Sequence, residues 1–347
     1  MVWYNKMLFM SLNFLTKRNF LFFAGGVLLA VLFVCVSILV YFASGYKGVG
    51  GVNLILLGGS GPENTRSNLT DSIIFSSVEK KGTVFVSVPR DLWYQPWQTK
   101  INSVHYYGQE KGDGLLWTKE ILSEILGQKI DYAVLVDFAV FKDLVDLVGG
   151  VEVVVERTFD DFRYPIAGRE EDFCDGDPEF GCRYEHVHFE AGQTHLGGEQ
   201  ALKFVRSRYA EGEEGTDTAR SGRQQKVITA LKAKILSPKV FLSPTKIIKL
   251  KEIFEKRIQS DLGRDGFILL GKILLAPKAR QTQSFVLDGW QEESGLIYHP
   301  QKHPSGQWVL LPRDSSWEEV HLYLSCLLSQ KNKSLCSPAG KQASPEF

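Results

Sequence analysis

Twenty-three consecutive residues, Phe20 to Phe42, carry no charge. As a helix rising 1.5 Å per residue they would span about 34 Å, enough for the hydrocarbon core of a bilayer. The run predicts one transmembrane helix. It divides the chain into a tail over 1–19, the span over 20–42, a linker over 43–50 and a domain from residue 51 onward. Lys6, Lys17 and Arg18 precede the run with no acid among them, and only Lys47 follows closely. The positive-inside rule then puts the N-terminus in the cytoplasm and the domain outside the cell membrane. A cleaved signal peptide is the rival reading. Its apolar core is usually about 7–15 residues, shorter than this run, although Ala43-Ser44-Gly45 resembles the small-residue end of such a peptide.

Cysteine placement fits an oxidising compartment. Cys35 lies inside the apolar run, leaving Cys174, Cys182, Cys326 and Cys336 as an even set. The close spacings suggest two local disulfides, 174 with 182 and 326 with 336, each stapling a polar segment, and leave the other pairings of the four open. A zinc site from Cys174, Cys182, His186 and His188 is the alternative, but neither a C-x-x-C nor an H-x-x-x-H spacing supports it.

Beyond the linker, strand and helix signals alternate. Val52 to Leu57, Ser72 to Val78 and Thr83 to Val88 are apolar enough for strands, and Lys80-Lys81-Gly82 marks a hairpin between the latter two. Leu115, Leu116, Leu122, Ile125 and Leu126 make a helical stripe stopped by Gly127. Tyr132 to Phe138 follows as a strand, Val140 to Val148 as a helix ending at Gly149-Gly150, and Val151 to Glu156 as another strand. Residues 157–191 break the rhythm with Gly, Pro, acids and the first cysteine pair, and are expected to be a stapled insertion. Further helices are expected over 245–258, 266–275 and 316–328, and late strands over 284–287 and 308–311. The expected fold is α/β, a mixed central sheet with helices on both faces, an α-β-α sandwich over 51–328. The polar end, 329–347, is expected to be disordered.

The most unusual stretch is Lys203 to Gln225, which gathers four arginines and one aspartate around an acidic, glycine-bearing loop. A helix ending near Val205 would leave Arg206 and Arg208 on one face of extended chain. Asp217 or Thr218 can cap a new helix, with Arg220 and Arg223 on one face of its first turn. Cations oppose the partial positive charge of a helix N-terminus, so two of them there point to an expected anion, for which backbone N–H groups and guanidinium forks suit phosphate. The competing reading is a solvated salt-bridge cluster with Glu211, Glu213 and Glu214.

Other charged residues lie at strand ends, where ligand sites of open α/β sheets form. Asp71 opens a strand, Arg90 and Asp91 follow Ser87-Val88-Pro89, and Lys100 and Asn102 flank Ile101. With 40 basic and 40 acidic residues, the charge balance argues against a nucleic-acid partner. Gly58-Gly59-Ser60-Gly61-Pro62 lacks the G-x-x-x-x-G-K-[ST] pattern of a nucleotide P-loop, and no G-x-S-x-G nucleophile motif is present. What remains is a set of phosphate-binding cations with carboxylates able to hold a hard divalent ion.

These motifs, NLILLGG, LTDSII, SVPRD at 87–91, KIN at 100–102, GGV at 149–151, GGEQALKFVRSR at 197–208 and DTARSGRQQ at 217–225, resemble the LytR-CpsA-Psr family, in that order. The resemblance covers about residues 50–235 and extends more weakly to about 325. It implies a membrane-anchored phosphotransferase that moves a glycopolymer from a polyprenyl-pyrophosphate carrier onto peptidoglycan of the cell wall through a phosphodiester. It also implies an apolar tunnel for the carrier's tail. By motif, Arg90, Lys100, Arg206, Arg208, Arg220 and Arg223 would bind the pyrophosphate. Asp71 and Asp217 would hold magnesium, and with Arg90 would serve catalysis. The family's further aspartate after the first strand's glycine is replaced here by Gly59-Ser60. A non-catalytic binder of polyprenyl phosphate or wall polymer, or an envelope-linked attenuator, is the alternative.

Overall fold

The computed structural model describes residues 51–59, 69–287, 295–330 and 336. The uncharged run 20–42, Ser60 and most of the polar end therefore lie outside the described residues. Among those described, no helix is long and apolar enough to cross a membrane. Residues from Gly51 onward form one compact unit, and both hydrophobic cores are built entirely within it.

β1 (Val52–Gly59), β2 (Thr70–Glu79) and β3 (Gly82–Ser87) form an antiparallel meander. A short arm, β4 (Trp93–Tyr94) with β5 (Thr99–Lys100), leads into α1 (Val104–Glu110) and α2 (Gly114–Leu126). Asp113 caps α2 by accepting from the Leu116 amide, and Gly127, at φ 62°, ends it in the left-handed conformation that glycine tolerates. β6 (Tyr132–Asp137) then lies parallel to β1, the arrangement that needs a helical crossover. Asp137 caps α3 (Phe138–Val148).

β7 (Val151–Val155) does not join this sheet. Its alternate residues Val151, Val153 and Val155 are buried while Glu152 and Val154 are exposed, so it has one apolar face where a central strand needs two. Residues 157–191 are also more ordered than an insertion loop, because β8 (Phe159–Pro165) and β9 (Tyr184–Phe189) form a hairpin and only the turn between them carries Cys174–Cys182. β7 pairs instead with β10 (Gly192–Leu196). Behind them lie α4 (Gly198–Arg206) and α5 (Asp217–Ile235), and Phe159, Phe189, Phe204, Leu196 and Val227 make a second core.

The rest of the chain is α6 (Pro238–Phe241), α7 (Pro244–Arg257), β11 (Gln259–Ser260), α8 (Arg264–Leu275), β12 (Thr282–Val286), β13 (Ile297–Tyr298), β14 (Leu311–Pro312) and α9 (Glu318–Gln330). The sheet order is β11-β6-β1-β2-β3-β12, with β6 and β12 parallel to their neighbours β1 and β3. Ile55, Leu57, Phe75 and Val86 turn one face toward Leu122 and Ile125 of α2 and Leu324 and Leu327 of α9. α5 and α8 contact strands β2, β3 and β12 as well. Leu116, expected in the stripe of α2, is exposed. The late strand expected over 308–311 is reduced to a bridge between Leu310 and Leu92 and the short β14.

Strand register defines two ends of the sheet. Val52, Val78, Thr83 and Thr282 are neighbours at the end where the chain enters, whereas Gly59 and Thr70 pair at the far end.

Both expected disulfides are present. Cys336 is buried in the main core, so the chain is pinned beyond α9, while Cys174–Cys182 sits in an exposed turn outside both cores. Replacing Cys326 and Cys336 together by alanine should lower unfolding stability by about 2–3 kcal/mol in urea titrations. Replacing Cys174 and Cys182 should leave the cooperative transition within about 1 kcal/mol of the parent and appear instead as protease cutting within 166–183. Equal losses for both pairs would contradict this division.

Candidate functional site

At the far end of the sheet a cleft opens between three elements. β2 supplies Asp71 and Ser72, the turn after β3 supplies Arg90 and Asp91, and the first turns of α5 supply Asp217 and Arg220. Thr216, rather than Asp217 or Thr218, caps α5 by accepting from the Ala219 amide at 3.1 Å. Asp217 is therefore the first helical residue, where its negative charge suits the helix dipole.

The charges interlock. Arg90 pairs with Asp71, and its Nε lies 3.5 Å from Asp91 Oδ2; Arg220 pairs with Asp217 at 2.8 Å. Burial alone would lower the Arg90 pKa, but Asp71, Asp91 and Asp217 outweigh it and the net shift is upward. Burial pulls Arg220 down to about 10, with Asp217 opposing the shift and Arg90 and Arg208 adding to it. Both remain cationic at neutral pH. A buried Arg220 and a partly buried Arg90 repelling each other across a cleft, with half-exposed carboxylates as partial counter-charges, form an arrangement suited to an added anion.

The remaining cations are placed differently. Lys100 bonds Asp91 Oδ1 at 2.7 Å and so reaches the cleft through that carboxylate. Arg208 is exposed, close enough to Arg220 to depress its pKa. Arg206 ends α4, stacks over Phe138 at 4.2 Å and donates to the Tyr164 hydroxyl at 3.2 Å. Burial pushes that phenol up to about 12, against the opposing charge of Arg206, so it stays a neutral acceptor.

Arg223 is not in the cleft. It is buried, and four of its five N–H groups are taken. Nε donates to the Phe204 carbonyl at 2.9 Å and Nη2 to the Ser207 carbonyl at 2.6 Å. Nη1 donates to the Glu214 carbonyl at 2.9 Å and to its carboxylate at 2.7 Å. Its face lies 4.8 Å over the Phe159 ring. Arg223 thus clasps the end of α4, the loop after it and α5 into one piece.

Several residues around the site carried no role in the sequence reading. Asp161 is fully buried and accepts from the amides of Arg208 and Tyr209, fixing the backbone that carries Arg208. An aspartate alternating with Phe159 on the apolar face of β8 was the available signal. Gln224 Oε1 accepts from Ser72 Oγ at 2.9 Å, and Gln225 Nε2 donates to Ser87 Oγ at 2.8 Å, so α5 is keyed to β2 and β3. Trp308 lines the cleft from a segment far along the chain, with no local motif to announce it.

Asp71 and Asp217 line the cleft and are of the donor type that magnesium takes. Asp71 and Asp217 are hard oxygen donors, 45% and 49% exposed, and both act on Arg90. Magnesium commonly takes one or two carboxylates, with substrate phosphates and water completing its octahedron. Gly59 ends β1 beside Thr70 and so lies next to Asp71. The zinc alternative fails because Cys174 and Cys182 are bonded to each other, while His186 and His188 both contact Asp160 Oδ1, at 2.6 and 2.8 Å.

A family model described as the LytR_cpsA_psr family matches residues 41–307. The chain belongs to this family. Among relatives of the LytR-CpsA-Psr chain is the polyisoprenyl-teichoic acid–peptidoglycan teichoic acid transferase TagU of Bacillus cereus, 29% identical over 220 residues, covering 62% of this chain and 61% of TagU. TagV of Bacillus subtilis, which carries the same transferase description, is 30% identical over 195 residues, covering 54% and 42%. The chain thus matches about three fifths or less of the length of these relatives. The crystal structure of B. subtilis TagV superposes with a TM-score of 0.55 at 24% identity over 81% of this chain and 98% of that one. TagT bound to LIIa-WTA superposes with a TM-score of 0.53 at 22% identity over 81% and 92%. The mixed α/β architecture is the fold of these structures.

Arg223→Ala should cost about 3–5 kcal/mol in urea titrations, because it strands the buried carbonyls of Phe204 and Ser207 and the part-buried carbonyl and carboxylate of Glu214. Arg220→Ala, which removes one of two repelling cations, should change stability by less than about 1 kcal/mol. Parent-like stability of the Arg223 variant would show that the clasp holds nothing.

Proposed function

We propose that this chain is a membrane-anchored phosphotransferase that moves a glycopolymer from a polyprenyl-pyrophosphate carrier onto peptidoglycan. The observation that carries the reading is the convergence of Asp71, Arg90, Asp217 and Arg220 in one cleft. The transferase descriptions of TagU and TagV point the same way.

In this reading Arg90 and Arg220 take the pyrophosphate, with Arg208 and Arg206 at the margin and Lys100 steadying Arg90 through Asp91. An acceptor hydroxyl oxygen bonds to the phosphorus that bears the glycan, and the bond from that phosphorus to the bridging oxygen breaks. The products are a glycan phosphodiester and polyprenyl phosphate. The hydroxyl proton passes to Asp71 or Asp217, whichever carboxylate the bound phosphate releases from its arginine. Magnesium held by Asp71 and Asp217 would neutralise charge on the phosphates. Arg90 and Arg220 supply the same stabilisation from fixed, partly desolvated positions, where it is strongest.

The proposed setting is a single-pass protein with residues 20–42 in the membrane, the N-terminus in the cytoplasm and an α-β-α domain with helices on both faces outside. The Gly59-Ser60 replacement of the family's aspartate favours a second reading, a non-catalytic carrier or polymer binder. The two readings differ in whether the carboxylates act through a metal.

Titration of the domain with a lipid-pyrophosphate analogue separates them. Arg220→Ala should weaken binding by about tenfold or more, the loss of one or more charge-assisted hydrogen bonds of about 1.5–3 kcal/mol. Arg206→Ala should cost less, since its guanidinium is already engaged with Phe138 and Tyr164. Asp71→Asn should lower affinity when magnesium is present and change it little without the metal. Equal effects of Asp71→Asn in both conditions would favour the binder, and unchanged binding after Arg220→Ala would remove the cleft as the site.

A further inference from the structure

The end of the domain opposite the cleft carries an apolar apex with a basic margin. Phe241 and Leu242 are 53% and 73% exposed at the junction of α6 and α7, and Ile248 is 66% exposed one turn later. Ile247 is exposed beside it, and no residue of α7 is buried. Residues 238–257 hold six cations and two carboxylates. In the outer half of α7 the cations are engaged: Lys256 pairs with Glu252, Lys251 with Glu255 and Arg257 with Asp143. Lys239, Lys246 and Lys249 flank the apolar side chains, where residues 238–251 contain no acid.

Its location follows from register. Lys232, near the end of α5, donates to Thr282 Oγ1 at 2.7 Å. Thr282 pairs with Thr83, Thr83 with Val78 and Val78 with Val52, so α5 delivers α6 to the end of the sheet where the chain enters from Gly51. The apex therefore stands at the end of the sheet where β1 begins.

We infer that this apex, Phe241, Leu242 and Ile248 with Lys239, Lys246 and Lys249, is a docking surface for an anionic lipid bilayer. A convex helix end with protruding phenylalanine, leucine and isoleucine fits the interface between headgroups and acyl chains, and neighbouring lysines add attraction to lipid phosphates. A protein groove would need matching acidic walls around the same three side chains. The surface acts independently of the cleft chemistry. It also orients the domain: β1 has eight residues, so the cleft stands about 26 Å from the docked end, at 3.3 Å per residue.

The test uses residues 51–347, the compact unit that contains both cores, with no apolar run to confound it. Sedimentation with vesicles of phosphatidylcholine, with and without phosphatidylglycerol, should show binding to the anionic vesicles that falls steeply as salt is raised. Phe241→Ser with Leu242→Ser should weaken partitioning by at least about tenfold, with an unchanged melting temperature because both side chains are already exposed. Lys246→Gln with Lys249→Gln should weaken it and flatten the salt dependence. Absence of binding by the parent, or equal binding by the serine variant, would overturn the inference. So would concentration-dependent self-association that the serine variant abolishes in the absence of vesicle binding, because the face would then be a contact between copies.

Discussion

The clasp made by Arg223 is the constraint from which the site follows. A single buried guanidinium holds the carbonyls of Phe204, Ser207 and Glu214, which belong to the end of α4 and the loop after it, against the second turn of α5. With that loop fixed, Asp161 can bind the amides of Arg208 and Tyr209 from the other side. Gln224 and Gln225, the next two residues of α5, lock the helix onto β2 and β3. Asp217 and Arg220 are then delivered to Asp71 and Arg90 across a gap that no local sequence signal spans. The charged site is assembled by polar contacts that are themselves buried and satisfied, the condition under which such networks specify one arrangement.

Electrostatics explains why an arrangement so costly persists. Arg90 and Arg220 are both desolvated and repel each other, yet each keeps a carboxylate partner at the rim. In the proposed function, a bound phosphate would relieve the repulsion and free a carboxylate at the same moment. A site poised in this way gains more from a dianionic ligand than a surface cluster would, because water screens it less. The opposite end of the domain is built on other physics, with exposed apolar side chains flanked by lysines. The sheet between these ends sets their separation.

Much of this was legible in the sequence, for identifiable reasons. The strands of β1 to β3, the stop at Gly127 and the hairpin at Lys80-Lys81 are written in local periodicity and turn chemistry. Asp71 and Arg90 stood out because they lie at strand ends, where ligand sites of open α/β sheets form, and Arg220 because a cation beside a helix start is unfavourable without an anion; Asp217 stood out as a cap candidate of the same helix. Arg223 shared the spacing and the motif of Arg220 yet has a structural task, since residue type alone does not say whether a guanidinium meets a ligand or a carbonyl. β7 looked like a further sheet strand because apolar content does not reveal a partner, and only the exposure of Glu152 and Val154 shows that one of its faces is wet. The hairpin of β8 and β9 was hidden by acids and glycines that belong to its turn. Thr216 took the cap from Asp217 and Thr218, both residue types that also cap helices.

The most direct test of the account is product analysis. The domain, a polyprenyl-pyrophosphate-linked sugar, magnesium and peptidoglycan fragments are incubated together, and the products are read by mass and phosphorus NMR. The account predicts fragments heavier by one sugar phosphate, a phosphodiester resonance and an equal amount of polyprenyl monophosphate, all absent with the Arg90→Ala protein. Donor that is bound tightly yet recovered intact, with unmodified fragments, would contradict it and leave a carrier-binding protein in its place.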